Sequence, residues 1–393
     1  MAIINEYDVI IIGLGAMGSA GLYQLSKSDK KVLGIDQFSP PHMQGSSHGD
    51  TRITRTAIGE GSEYTSMALR AQEIWRELEK ISQQDLLKQV GCLIMAEEDN
   101  NFMQNTIKSA NEFGIAHQLF PRESLQRDYP QFKTTTEVGI LEPTGGYLLP
   151  EECIRTQLAL AQQNGAQAMI NTKVDSLSVS PDGKVTVTIN KNNTFQNLLA
   201  EQVVITSGAW INDFLPANMQ TIFKVYRQVL HWFDIADKST SFASFEPQAF
   251  PTFIWEFPEM VDDSWGVYGF PAINGPKGGL KIACEQFNAT TTPATLERVV
   301  SKEESEIMYD RFVHNRLSGL QSKVIEATVC MYTNTADSNF VIDRSPQHGQ
   351  ILLVSPCSGH GFKHSAAIGE IISDLVLHGK SKLAIDSFSL SRL

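Results

Sequence analysis

The sequence predicts an α/β layer interleaved with a second, α+β domain built on an antiparallel sheet. Three observations carry this. Over Tyr7–Asp36 an apolar run, a glycine-rich turn, a helix-like segment, a second apolar run and an acid follow one another. Two later apolar runs, Gln202–Thr206 and Gln350–Val354, each lead towards a glycine turn, as strands of a central parallel sheet do. Between them, Phe223–Ile235 and Trp255–Phe270 are aromatic and partly alternating, the texture of an antiparallel sheet. This order assigns residues 1–87, 143–217 and 328–393 to the first domain, and 88–142 and 218–327 to the second.

Taken in order, Tyr7–Ile12 is a short buried strand, and Gly13, Gly15 and Gly18 form G-x-G-x-x-G directly after it. The first glycine allows the tight turn, the second lets backbone approach a pyrophosphate, and the third lets the helix pack on the strand. The helix that follows aims its free N–H groups and positive dipole end at the phosphates. Val32–Ile35 is the next strand, and Asp36 at its end can accept hydrogen bonds from ribose hydroxyls. This is a Rossmann-type dinucleotide site; the motif leaves NAD and FAD both open.

Gln37–Gly61, rich in Pro, Gly, Ser and His, is a long loop carrying Arg52 and Arg55 and then Gly59-Glu60-Gly61. Such loops inside compact domains are commonly functional, and the cations mark it as a binding loop. Ser62–Ser82 is an amphipathic helix with Ser62 as N-cap and Met67, Leu69, Ile74, Trp75, Leu78 and Ile81 on its buried stripe. Val90–Ala96 is a strand; Asn100–Glu112, Arg122–Tyr129 and Pro150–Gln163 are helices; Gln167–Val174 is a strand. Ser176–Val179 and Lys184–Ile189 form a hairpin about Pro181-Asp182-Gly183. Glu303–Leu317 is helical, and the glycine turn Cys357–Lys363 precedes an apolar helix, Ser365–Leu377.

A net charge of −12 over 393 residues argues against nucleic acid or an anionic membrane surface as partner. An anionic substrate would then need a local basic cluster. The five cysteines are scattered and contain no C-x-x-C, so neither a disulfide framework nor a zinc site is expected, and a reducing cytoplasm is the default. The first strand begins close to Met1, leaving no room for a cleavable leader, and no apolar run is long enough to span a membrane. Ser391-Arg392-Leu393 is near the peroxisomal tripeptide S-K-L, which gives a second reading of localisation.

GSSHGDTRITR (Gly45–Arg55), YGFPAINGPKGGLK (Tyr268–Lys281), CMYTNTADSNFVID (Cys330–Asp343) and SGHGFKHSAAIGE (Ser358–Glu370) together resemble the monomeric sarcosine oxidase and N-methyltryptophan oxidase family. The resemblance implies a flavoenzyme, monomeric, that oxidises a small N-methyl or other secondary amino acid with dioxygen. It implies FAD attached through a thioether to Cys330; read from its residue type alone, Cys330 is a buried structural cysteine, as free cysteines commonly are. Arg55 and Lys363 match the pair that holds the substrate carboxylate, a role suited to a planar guanidinium and a point charge. Arg52 and His48 match residues set against the flavin ring, with Thr51, Val174, Gly359, Gly361 and Phe362 as further cofactor contacts. Gly359 and Gly361 would let backbone approach the flavin. Lys281 matches the lysine on the flavin face where dioxygen reacts, and Tyr268 falls near the substrate. Where the family has a histidine, this chain has Glu285, which could repel a carboxylate, attract an amine or pair with Lys281. Rival readings are an oxidase or dehydrogenase of a cyclic or bulkier amine (pipecolate or proline type) and, from the glycine motif alone, an NAD(P)-dependent dehydrogenase.

Overall fold

The computed structural model describes residues 5–236 and 242–393; residues 1–4 and 237–241, which the sequence assigns to the first and second domains respectively, lie outside the described residues. An eight-stranded sheet is built around the first strand, Glu6–Ile12, which runs parallel to Val32–Ile35 on one side and to the end of Thr194–Ile205 on the other. Ile351–Ser355 adds in parallel beside Thr194–Ile205, and the hairpin Lys173–Val179/Val185–Lys191 extends the edge. The central strands are apolar without alternation because both faces are covered. On one face the helices Ala16–Leu25 and Ser365–His378 pack against the sheet, most of their residues buried.

A nine-stranded sheet forms the second layer, with a core of Phe132, Phe233, Phe250, Phe253 and Trp255. It is mainly antiparallel, but Thr252–Val261 runs parallel to Cys92–Ala96. Its longest pairing joins Lys224–Ile235 to Leu320–Asn334, in register Gln228 to Cys330 and Tyr226 to Tyr332. Alternation on this ribbon turns Cys330 and Tyr332 to the same face, which is the face towards the candidate site.

Several elements differ from the sequence expectation. The loop Gln37–Gly61 contains a strand, Arg52–Thr54, in a three-stranded sheet with Leu87–Gln89 and Gly146–Leu148. Gln167–Val174 is two strands, because Asn171 takes a left-handed φ of 52° and turns the chain between them. Ser62 opens a 3-10 turn without a side-chain cap, and the α-helix begins at Thr65. Ile81, in that helix's last turn, lies beyond its packing partners and is 60% exposed. Trp255–Phe270 is a hairpin, Thr252–Val261 with Ser264–Gly269. Glu303–Leu317 is α-helical only to Met308 before a π turn, Tyr309–Val313, takes over.

Candidate active site

The first strand ends in a groove lined by Gly13, Gly15, Asp36, Val174, Ser207, Ser355 and the turn around Gly359–Phe362. Gly18 is fixed by space: a Cβ there would lie 1.7 Å from the carbonyl oxygen of Gly13, so only glycine lets the helix sit on the turn. Asp36 Oδ2 accepts from the Leu14 N–H at 2.7 Å and Oδ1 from the Phe38 N–H at 2.8 Å. Both oxygens are thereby aimed, and a carboxylate has acceptor sites to spare. The buried hydroxyls of Ser207 and Ser355 line the groove without hydrogen-bond partners among the described residues, as groups that await a polar ligand do. These residues fit a dinucleotide. Gly361, which lines the groove, has a steric reason to be glycine: its Cβ would meet the Pro356 carbonyl oxygen at 1.5 Å.

Arg52, Tyr332, Gly359 and Phe362 line both this groove and a second cavity of about 490 Å³. In that cavity Arg55, 1% exposed, and Lys363, 5% exposed, come from loops far apart in sequence. Glu60 joins them, as an ion pair with Arg55 and at 3.4 Å from the Lys363 ammonium. Lys363 also donates to the His360 carbonyl oxygen at 3.0 Å, and Arg55 lies over the Phe102 ring, 5.0 Å from its centroid. Burial works to raise the Glu60 pKa, yet Arg55 and Lys363 overcome it and hold the carboxyl well below its usual range. Burial, aided by Arg55 and opposed by Glu60, brings Lys363 down to about 8. In the sequence Glu60 stands between two glycines with nothing local to mark a role; its position between the two cations is set by the fold.

Tyr268 and Tyr332 meet across the cavity, hydroxyl to hydroxyl, at 3.2 Å. Glu285 also lines it, with Oε1 beside Gly359, whose positive φ of 80° and missing Cβ leave room for the carboxylate. Glu285 does not pair with Lys281. The Lys281 ammonium is instead bound by the carbonyl oxygens of Gly49 (2.6 Å) and Thr51 (2.9 Å) and the Thr51 hydroxyl (3.1 Å), over the rings of Phe270 and Trp232. It stands apart from the Arg55–Lys363 cavity, and burial together with Arg52 lowers its pKa well below the lysine value.

Arg52 spends its guanidinium on the loop itself, donating to the carbonyl oxygens of Thr51, Ser46 and His48. His48 is buried with neither ring nitrogen bonded; burial, Arg52 and Lys281 push its pKa down to about 3, so it is neutral. Cys330 is 2% exposed on the cavity wall. Burial raises its thiol pKa, and Arg52 and Lys281 pull against that rise. The structure thus gathers Arg52, Arg55, Tyr268, Cys330, Gly359, Phe362 and Lys363 about one cavity, and leaves Lys281, Thr51 and His48 outside its lining. Among the described residues no helix is long and apolar enough to cross a membrane, and no His/Cys/Asp/Glu group is arranged to hold a metal.

A dinucleotide groove opening onto a cation-lined cavity defines a cofactor-dependent oxidoreductase, and a family model described as FAD dependent oxidoreductase matches residues 8–375, so the chain belongs to that family. Within it the chain stands with the monomeric sarcosine oxidases and N-methyl-L-tryptophan oxidases. It is 35% identical to the monomeric sarcosine oxidase of Bacillus sp. (strain B-0618) over 99% of this chain and 96% of that one. Identity to the N-methyl-L-tryptophan oxidase of Escherichia coli (strain K12) is 32%, over 98% and 99%. Among solved structures NikD, "an unusual amino acid oxidase essential for nikkomycin biosynthesis", shares the fold with a TM-score of 0.80 at 18% identity, covering 98% of this chain and 97% of that one. FAD, not NAD(P), is therefore the cofactor class.

Proposed function

We propose that the protein oxidatively demethylates an N-methyl amino acid with dioxygen, giving the primary amino acid, formaldehyde and hydrogen peroxide. The observation that carries this reading is the pair of buried cations, Arg55 and Lys363, in a cavity that shares a wall with the dinucleotide groove. FAD in that groove supplies a two-electron acceptor that dioxygen can reoxidise. Arg55 and Lys363 receive the substrate carboxylate, the guanidinium through two parallel hydrogen bonds and the ammonium as a point charge. Anchored there, the amine end faces the wall made by Tyr268, Tyr332 and Gly359. The aromatic side chains of that wall exclude water and so strengthen every electrostatic contact inside. Lys281, held by three oxygen acceptors, places positive charge where negative charge can develop on dioxygen.

Attachment of the cofactor through Cys330 belongs to the same reading: its thiol lies on the cavity wall two residues from Tyr332, which lines both spaces, and against the burial that raises its pKa Arg52 and Lys281 pull towards the thiolate. The cavity, at about 490 Å³, has room beyond N-methylglycine, which supports a cyclic or bulkier secondary amino acid as a second reading. The names of the relatives support a monomer. Purified holoenzyme should be yellow, keep its colour in the pellet after acid precipitation, and consume oxygen and release peroxide with N-methyl amino acids. A colourless protein, or one silent to every N-methyl and cyclic amino acid tried, refutes the proposal. Reduction without oxygen uptake identifies a dehydrogenase.

A further inference from the structure

His360 lines the cavity beside the arginine–lysine pair with one ring nitrogen unused. Its ring stacks on Phe340, centroids 4.6 Å apart, and meets the Tyr64 ring edge-on at 5.1 Å, which fixes its plane. Nε2 lies 3.4 Å from the Ser338 carbonyl oxygen, an acceptor only, so in the neutral imidazole the N–H belongs there. Nδ1 then carries a bare lone pair. It is buried, has no hydrogen-bond partner among the described residues, and lies 3.9 Å from Glu60 Oε1. Two acceptors thus face each other with no proton between them. A movement of about 1 Å would bring them to hydrogen-bonding distance.

We propose that His360 and Glu60 form a seat for one proton, which fills when a carboxylate ligand takes Arg55 and Lys363. The inference rests on the carboxylate site of the proposed function and adds to it the group that receives the displaced Glu60. In the free site the proton is kept out. Arg55 and Lys363 hold Glu60 as the anion, while burial and the same two charges bring the His360 pKa down to about 4, against Glu60 and the Ser338 carbonyl. The other polar groups around the ring are occupied or uncharged: Tyr64 donates to Asn339 at 2.6 Å, Asp337 is paired with Arg392 at 2.7 Å, and burial beside Lys363 holds His364 neutral. A ligand carboxylate cancels the two cations and leaves Glu60 short of partners. Glu60 then turns to Nδ1, where an N–H bond forms as an O–H bond of a solvent hydronium breaks, and no electrons change hands. Cancelling nearby like charges raises a pKa by about 1–3, which from about 4 stays below the Lys363 titration at about 8. His360 touches no reacting atom. It is a positioning residue, which keeps Glu60 from competing with substrate for Arg55 and Lys363.

Acetate, a carboxylate with nothing to oxidise, is titrated calorimetrically into the holoenzyme between about pH 5.5 and 7.5, above its own ionisation and below that of Lys363. Binding raises the pKa of the seat, so protons favour the bound form and the advantage is lost as pH rises. In wild type the affinity should therefore fall about three- to tenfold across that span, and the binding heat should vary with the ionisation enthalpy of the buffer as a proton is taken up. His360→Gln keeps the backbone carbonyl that binds Lys363 and a side chain able to donate to Ser338, but it has no proton to gain. Its acetate affinity should be flat over the span and its heat independent of buffer. Glu60→Gln should be flat as well, at higher affinity. A flat wild type, or a wild-type slope in either variant, overturns the inference, and the buffer dependence of the wild type tests it without any substitution. Acetate that binds at no pH overturns the carboxylate site of the proposed function. Wild-type inactivity towards every N-methyl and cyclic amino acid overturns the proposed reaction, and leaves the acetate titration to judge His360.

Discussion

Replacing Glu60 with Gln removes the one negative charge shared by two cations that water scarcely reaches, Arg55 and Lys363. Breaking a buried ion pair from one side costs about 3–5 kcal/mol, because the remaining charge stays desolvated and unpaired. The lower end applies, since the Glu60 side chain keeps 22% of its surface accessible. For a chain of 393 residues the unfolding entropy is about 0.8 kcal/mol/K, so a loss of about 3 kcal/mol lowers Tm by about 4 °C. The same vacancy makes the variant more responsive to carboxylates, because a bound anion replaces the missing charge. Thermal scans with and without acetate should therefore show a larger upward shift in Glu60→Gln than in wild type, with saturating ligand recovering about 2–3 kcal/mol. Acetamide, of like shape and no charge, should shift neither. Equal Tm values for the two proteins, or equal responses to acetate, would refute the picture of two cations held ready by an internal anion.

Cys330→Ser should release its flavin into the supernatant on acid precipitation, whereas wild type retains colour in the pellet. Gly18→Ala forces a methyl against the Gly13 carbonyl, at 1.7 Å before relaxation, and should cost about 1–3 kcal/mol with a lower flavin-to-protein absorbance ratio. Lys363 binds carboxylate only when protonated, so kcat/KM should fall as pH rises through about 8, by about 10–100-fold, with Arg55 still charged. An alkaline limb that persists in Lys363→Met assigns it elsewhere. Lys281→Met should slow reoxidation by dioxygen by about 10²–10³ in stopped flow while anaerobic reduction by substrate stays near wild type.

The glycine turn was legible because its meaning is local: spacing alone puts Gly13, Gly15 and Gly18 between a strand and a helix, and the structure has them there. Arg55 and Lys363 were legible only through motif resemblance, and nothing in the sequence brings residues three hundred positions apart together. Glu60 and Lys363, 303 apart, meet because a short strand pairing, Arg52–Thr54 with Gly146–Leu148, fixes the loop. Three-residue strands carry no periodicity, which is why that sheet went unseen. Pairing with Lys281 was one of three roles open to Glu285, but Glu285 lies two residues beyond the strand Leu280–Ala283 that carries Lys281, and Lys281 found backbone oxygens instead.

The ribbon formed by Lys224–Ile235 and Leu320–Asn334 runs from the aromatic sheet to the turn beside the dinucleotide groove. Cys330 and Tyr332 ride on it, so the wall that would be covalently anchored and the wall that meets substrate belong to one continuous backbone. Exchanging the aromatic sheet wholesale for that of a relative, in order to graft on a new preference, would uproot the anchor as well. Changes of preference should therefore be sought one side chain at a time, at Glu256, Glu285 and Phe287, where the wall can be recut without moving its frame.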